Sequence, residues 1–320
     1  MQLAKPRALR PGDCIGIVST SSPVSAVELD RLTAYLDGRG YSVRVADGVL
    51  DRSGYLAGSA ERRAAGVLRM FGDPEVSLVM PVSGGTGAGH LVDLLDPGLI
   101  RAHPKVFTTF SDPSVLSNSI LATAGLPSVH GVSGFQFFGW ADVDEPTETA
   151  FWRMVSGPIA GLEVTGTNWR VHRAAGPAVS GPAVGGNLWA ISALAGTRWM
   201  PSTAGAILLL EAWDATFELV DRMLTQLRLA GVFEDIAALV IGAPADWVHE
   251  DAPDASTDEL VLRCVQGRFP VITGVEFGHQ QSKIPFPIGC RVEFDLRGQR
   301  PVLRYLEDLV ALDLEAGLGS

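Results

Sequence analysis

A chain of 320 residues with 47% hydrophobic and 19% charged content can bury a large core, and its length suggests two domains. That balance excludes a long disordered tail, and a net charge of −11 argues against nucleic-acid backbones and anionic membrane surfaces as partners. No run approaches the ~18 continuous apolar residues of a membrane span. The opening residues, Met1-Gln-Leu-Ala-Lys-Pro-Arg7, lack the apolar stretch of a signal peptide. Cys14, Cys264 and Cys290 are widely spaced, forming neither a disulfide framework nor a metal-ligand set. These features predict buried free thiols, a cytoplasmic setting, and no metal or cofactor.

The chain order alternates strands and helices. Residues 14–19 read as a buried strand running into Thr20-Ser21-Ser22-Pro23, and 27–36 have helical periodicity stopped by Gly38 and Gly40. A strand over 41–46 precedes a helix over 59–70 with Ser59 as its cap. A third strand, 76–82, leads into Ser83-Gly-Gly-Thr-Gly-Ala-Gly89 and a short helix over 90–95. Residues 106–110 are β-branched or aromatic, Ser111-Asp112-Pro113 turns the chain, and 114–123 carry apolar residues at helical spacing. Such alternation predicts an α/β fold whose mostly parallel sheet is flanked by helices, with ligands beyond the carboxyl ends of the strands.

From about residue 134 to 180 the pattern loosens. Phe135, Phe137, Phe138, Trp140, Phe151, Trp152 and Trp169 mix with Gly, Pro and Thr around a helix over 146–155. A second unit follows, with strands over 206–210, 237–241 and 271–273, a long helix over 216–229, and an antiparallel pair over 291–296 and 302–305. The predicted organisation is an N-terminal α/β domain over 1–150, a linker over 151–180 and a smaller, strand-rich C-terminal domain over 181–320. The active site is expected between the two domains.

The glycine run lacks both the G-x-G-x-x-G spacing after the first strand and the Lys-Ser/Thr ending of a P-loop. A better role is to bring backbone N–H groups close to a reacting carbonyl. Ser111 sits on a sharp strand-to-helix turn beside a helix start, the geometry of a nucleophile elbow without the G-x-S-x-G string. Ser111 or Asp112 also fits a plain helix cap. The histidines His90, His103, His130, His172, His249 and His279 form no H-E-x-x-H or other dense ligand set. His279 stands out after Gly278 at a strand end, and Glu211 directly follows Ile207-Leu-Leu-Leu210. Glu211 also fits a helix-start or surface carboxylate. Ser111, Glu211 and His279 together form an ordered set at strand ends, in which a base activates serine and a carboxylate orients the base.

The chain resembles the serine peptidase family of LD-carboxypeptidases and microcin C immunity peptidases. The resemblance rests on 10–19, Gly84-Gly-Thr-Gly87, Pro104-Lys-Val-Phe-Thr-Thr-Phe-Ser-Asp-Pro-Ser114, His130-Gly131, Gly185-Gly-Asn-Leu188, Ile207-Leu-Leu-Leu-Glu211, Gly278-His279 and Pro287-Ile-Gly289. It implies Ser111 as nucleophile, His279 as general base, Glu211 as its orienting acid, and an oxyanion hole from the N–H groups of Gly85 and Asp112. It also implies a homodimer and two substrate classes: a murein-type tetrapeptide, or a peptidyl- or aminoacyl-nucleotide conjugate. Thr86, Asn187, Trp140 and Trp152 are the expected substrate-binding residues, with Trp140, Trp152 or Trp169 stacking on a base. The chain departs from the family at Thr109 and Pro113 of the elbow, at Ser83, Thr86 and His90 where arginine, tyrosine and a later arginine are usual, and at Val132. Those changes tilt the expectation towards a conjugate. Acyl transfer or cyclisation by the same serine, and non-catalytic binding, are the alternatives.

Overall fold

The computed structural model describes residues 2–138, 144–173, 176–244, 247, 256–298 and 300–312. Its first half runs β1 (Cys14–Val18), α1 (Ala26–Gly38), β2 (Ser42–Val45), α2 (Ala60–Gly72), β3 (Val76–Pro81), α3 (Pro97–Ala102), β4 (Val106–Thr109), α4 (Ser114–Ala124) and β5 (Ser128–His130). α5 (Glu145–Ser156), β6 (Glu163–Thr165) and β7 (Arg170–His172) follow. The second half contains β8 (Ala178–Asn187), α6 (Leu188–Leu194), β9 (Ile207–Glu211), α7 (Phe217–Leu229), β10 (Ala238–Gly242), α8 (Thr257–Val265) and β11 (Val271–Val275). β12 (Phe286–Ile288), β13 (Arg291–Asp295) and β14 (Val302–Tyr305) complete it.

The first sheet has the order β12-β5-β4-β3-β1-β2, parallel throughout except for β12 against β5. Strand order therefore reverses between β1 and β3, which opens a crevice where the loops after these two strands diverge. Thr20-Ser21-Ser22 and the glycine run both lie there. The second sheet has the order β6-β14-β13-β8-β9-β10-β11-β7. Its centre, β8-β9-β10-β11, is parallel, so the ends of β8 and β9 lie side by side and Asn187 pairs with Glu211. The first half of β8 instead pairs antiparallel with β13. The fold is thus mixed α/β with two sheets. The stretch over 151–180 carries most of α5 with β6 and β7, and β12 returns from the second half to extend the first sheet.

Apolar continuity explains the central strands. β1, β3, β4, β9, β10 and β11 are buried at every position, as strands covered on both faces must be. The two-residue period of β9 divides its leucines: Ile207 and Leu209 join one core, while Leu208 and Leu210 join another with Val220, Leu224 and Leu227 of α7. β9 is thereby clamped from both sides, and its end is held firmly. Helix starts are set by side-chain caps, Ser25 for α1, Ser59 for α2, Asp144 for α5 and Thr216 for α7. Leu209→Ala is expected to lower unfolding free energy by about 2–5 kcal/mol in urea titrations. Val27→Ala, at a site 60% exposed, is expected to stay within about 0.5 kcal/mol.

Candidate active site

Ser111 follows β4 with φ of 62°, a left-handed conformation that strains any residue with a Cβ by about 1–3 kcal/mol. Local bonds hold it there. The Ser114 N–H and hydroxyl both donate to the Ser111 carbonyl, at 2.9 and 2.7 Å. The Asn187 N–H donates to the Ser114 hydroxyl at 3.1 Å. Asn118 of α4 donates to the Gly185 carbonyl at 2.8 Å and accepts from the Gly185 N–H at 3.0 Å. The elbow of the first sheet is therefore tied to the end of β8 in the second.

Glu211 is buried at the end of β9, and both of its carboxylate oxygens are bonded. Asn187 Nδ2 donates to Oε1 at 3.0 Å, and His279 Nδ1 donates to Oε2 at 2.7 Å. Burial alone would raise the Glu211 pKa; the bond from His279, the nearby histidine charges and the Asn187 amide outweigh it and hold the group below its usual value. The close approach depends on Gly278, whose φ is 109° and where a Cβ would lie 2.6–2.7 Å from the Glu211 side chain. The Phe110 ring, one residue before Ser111, lies 4.5 Å from the His279 ring, and the Trp213 indole stacks on the same imidazole at 5.6 Å and 12°.

The glycine run lies against the loop after β1. Gly85 has φ of 110°, and a Cβ there would lie 2.0 Å from the Ser22 hydroxyl. Ser22 accepts from the Thr86 N–H at 3.3 Å, and its own N–H donates to the Gly84 carbonyl at 3.2 Å. The Asp112 carboxylate accepts from the Ser21 hydroxyl at 2.6 Å and the Ala88 N–H at 2.8 Å. Burial raises the Asp112 pKa despite these donors and the nearby Arg63. Buried Arg63 in turn donates to the Thr20 carbonyl and, at 2.9 Å, to the Gly87 carbonyl.

A cavity of about 1240 Å³ opens between these parts. Gly85, Thr86, Ser111, Asp112, Asn187 and His279 all line it, joined by Trp189, Trp213 and Lys283. The aromatic expectation needs correction. Trp152 is 6% exposed and packs on Tyr41, Phe138 and Phe151, with its Nε1 donating to the Tyr35 hydroxyl at 3.0 Å. It is a core residue away from the cavity wall, as is Trp169, which donates to Glu276. Trp140 and His249 lie outside the described residues. The indoles on the cavity are Trp189, 44% exposed, and Trp213, 51% exposed. Trp213 is two residues after Glu211 and Lys283 four after His279, so distance from a strand end was the signal that could have found them.

The three cysteines are buried, and burial pushes the Cys264 thiol up to about 11 and Cys290 up to about 12, so neither offers a thiolate at neutral pH. Among the described residues, no group of three His, Cys, Asp or Glu is arranged to hold a metal ion, and no helix is long and apolar enough to cross a membrane.

The family model for the LD-carboxypeptidase N-terminal domain matches residues 15–131, and that for the C-terminal domain matches 180–294. The chain belongs to the LD-carboxypeptidase family. It is 30% identical to a probable murein peptide carboxypeptidase of Bacillus subtilis, over 93% of this chain and 94% of that one. Among solved structures, a muramoyltetrapeptide carboxypeptidase from Oxalobacter formigenes aligns with a TM-score of 0.82 and 26% identity, over 92% of this chain and 99% of that one. The microcin C7 self-immunity protein MccF in complex with glutamyl sulfamoyl guanosine aligns with a TM-score of 0.86 and 21% identity, over 96% of this chain and 100% of that one. The chain is accordingly a peptidase of the serine hydrolase type.

In this family member, His130 ends β5 beneath the candidate catalytic groups, with its ring 5.1 Å from Phe277 and 6.1 Å from Phe110. It is fully buried, neither ring nitrogen has a hydrogen-bond partner among the described residues, and burial pushes its pKa down to about 4. The unfolded chain, with a free imidazole near ~6.5, binds more protons between these two values. Stability from this group is complete above about pH 6.5 and is lost as pH falls towards 4. Urea unfolding at pH 7 and pH 5 is expected to show the difference, with His130 contributing on the order of 2 kcal/mol. Gly278→Ala is expected to displace Glu211 and lower kcat at least ~10²-fold while circular dichroism stays native.

Proposed function

We propose that this chain is a serine amidohydrolase with Ser111 as nucleophile, His279 as general base and Glu211 as the acid that orients the base. The observation that carries the reading is the 2.7 Å bond from His279 Nδ1 to a buried carboxylate, beside a cavity whose wall displays a strained serine. A carboxylate accepts only, so Nδ1 bears the proton and Nε2 is left as the basic nitrogen. His279 Nε2 takes the Ser111 proton as Ser111 Oγ attacks the amide carbonyl. The Gly85 and Asp112 N–H groups receive the tetrahedral oxyanion. Collapse expels the amine, which takes the proton from His279. Water, deprotonated by the same histidine, then releases the acyl group and restores Ser111.

The substrate is a small molecule with a scissile amide near a carboxyl end. Two exposed indoles on the cavity wall, Trp189 and Trp213, favour an aminoacyl- or peptidyl-nucleotide conjugate, whose planar base can stack on them. MccF forms a complex with glutamyl sulfamoyl guanosine, a compound of that chemistry. A murein tetrapeptide is the second reading, favoured by the likeness to the Bacillus subtilis relative. Turnover of murein tetrapeptide beside aspartyl sulfamoyl adenosine separates the two. Ser111→Ala is expected to lower turnover of whichever is cleaved by ~10⁴-fold or more and to abolish the mass adduct formed with a fluorophosphonate. Near-native turnover by that variant would remove the mechanism.

A further inference from the structure

We infer that Arg63 is the positioning residue of the oxyanion hole. Buried behind the crevice, its guanidinium holds the glycine run where Gly85 presents its N–H to the reacting carbonyl. The inference rests on the reading above and names the group that keeps its hole in shape.

Arg63 comes from α2, on the helix face that also buries Ala64, Val67, Met70 and Phe71. Among these neighbours it is 3% exposed, and burial pulls its pKa down from the usual value. Taking a guanidinium out of water is costly, so what it meets inside matters. Its Nη1 donates to the carbonyl of Thr20, two residues after β1, and at 2.9 Å to that of Gly87, at the far end of the glycine run. Its Nε and Nη2 have no hydrogen-bond partner among the described residues. The bonded end of the guanidinium thus bridges the two loops that diverge at the crevice between β1 and β3. Arg63 lies behind the run and away from the cavity wall, so it acts through the loop.

This bridge completes a frame around Gly85. On one side, Ser22 accepts from the Thr86 N–H at 3.3 Å and donates its own N–H to the Gly84 carbonyl at 3.2 Å. On the other, Arg63 holds the Gly87 carbonyl, and Asp112 accepts from the Ala88 N–H at 2.8 Å. Gly85 lies between these bonds and lines the cavity. Having no side chain to pack, it takes its position from them. Burial raises the Asp112 pKa, and the Arg63 charge is among the groups that oppose the rise. Asp112 supplies the other N–H of the proposed hole, so one buried cation bears on both halves. An oxyanion hole works through donors fixed before the charge develops, and a loosened run lowers the rate without weakening ground-state binding.

The test uses the full chain and a fluorophosphonate, whose phosphonyl oxygen enters the hole as Ser111 Oγ bonds to phosphorus and fluoride leaves. Saturation kinetics separate the rate of adduct formation, kinact, from the affinity of the first complex, KI. Arg63→Met, which exchanges a buried cation for an apolar chain, is expected to lower kinact ~10-fold or more with KI unchanged. Arg63→Lys keeps the charge without the fork and should recover part of kinact. Arg62→Met, on the exposed face beside it, should match wild type. The phosphorus NMR resonance of the adduct should move in Arg63→Met, reporting altered bonds to the phosphonyl oxygen. Circular dichroism and urea unfolding establish that each variant is folded, and where Arg63→Met is not, Arg63→Lys decides by the same readouts. Wild-type kinact in a folded Arg63→Met, or a rise in KI that accounts for the whole loss, overturns the inference and leaves the hydrolase reading standing. No Ser111 adduct on folded wild type removes the hydrolase reading and the inference with it.

Discussion

A carboxylate sunk into a protein core must have both oxygens bonded, and Glu211 meets that condition through one neighbour from β8 and one from beyond β11. Much of the site follows from this requirement. The parallel register that sets Asn187 opposite Glu211 delivers the first donor. The glycine at 278 lets the second chain approach closely enough to deliver the other. The two-sided core around β9 fixes the carboxylate that both must meet. Position in this molecule is a property of strand ends, and strand ends are rigid because the strands are buried on both faces.

The serine belongs to the other sheet, and what joins the halves is polar. Asn118 and Ser114 reach from α4 to the last residues of β8, so the strained backbone at Ser111 is braced by the same strand that carries Asn187. Strain of about 1–3 kcal/mol persists only where surrounding bonds over-determine it. The Asp112 carboxylate performs a parallel task on the other flank, linking the elbow to Ser21 and to the end of the glycine run. Two loops that diverge at the crevice between β1 and β3 are thereby held at a fixed separation.

Much of this was legible in the sequence because it depends on local pattern. Unbroken apolar runs marked β1, β3, β9 and β10, and abrupt polar residues at their ends marked Ser111, Glu211 and His279. Resemblance to a family added the roles. What stayed hidden depends on residues far apart in the chain. β12 has only three residues and finds its partner in β5, more than a hundred positions earlier. Trp152 reads like a ligand-stacking residue because clustered aromatics look alike in sequence. Only its packing against Tyr41 and Phe138 and its bond to Tyr35 assign it to the core. Trp213 gave no periodic signal, being a single residue in the short segment between β9 and α7.

Net charge misleads in the same way. A chain of −11 repels anions at long range, yet that field is screened within about 10 Å at ordinary ionic strength. Inside the cavity the balance is local. The Glu211 charge is bound up with His279 and Asn187, that of Asp112 with Ser21 and Ala88, and the Lys283 ammonium lies over the face of Phe110. Both Glu211 oxygens are committed, one to Asn187 and one to His279. The arrangement that keeps the base oriented is therefore the same one that holds a buried carboxylate charge in the core.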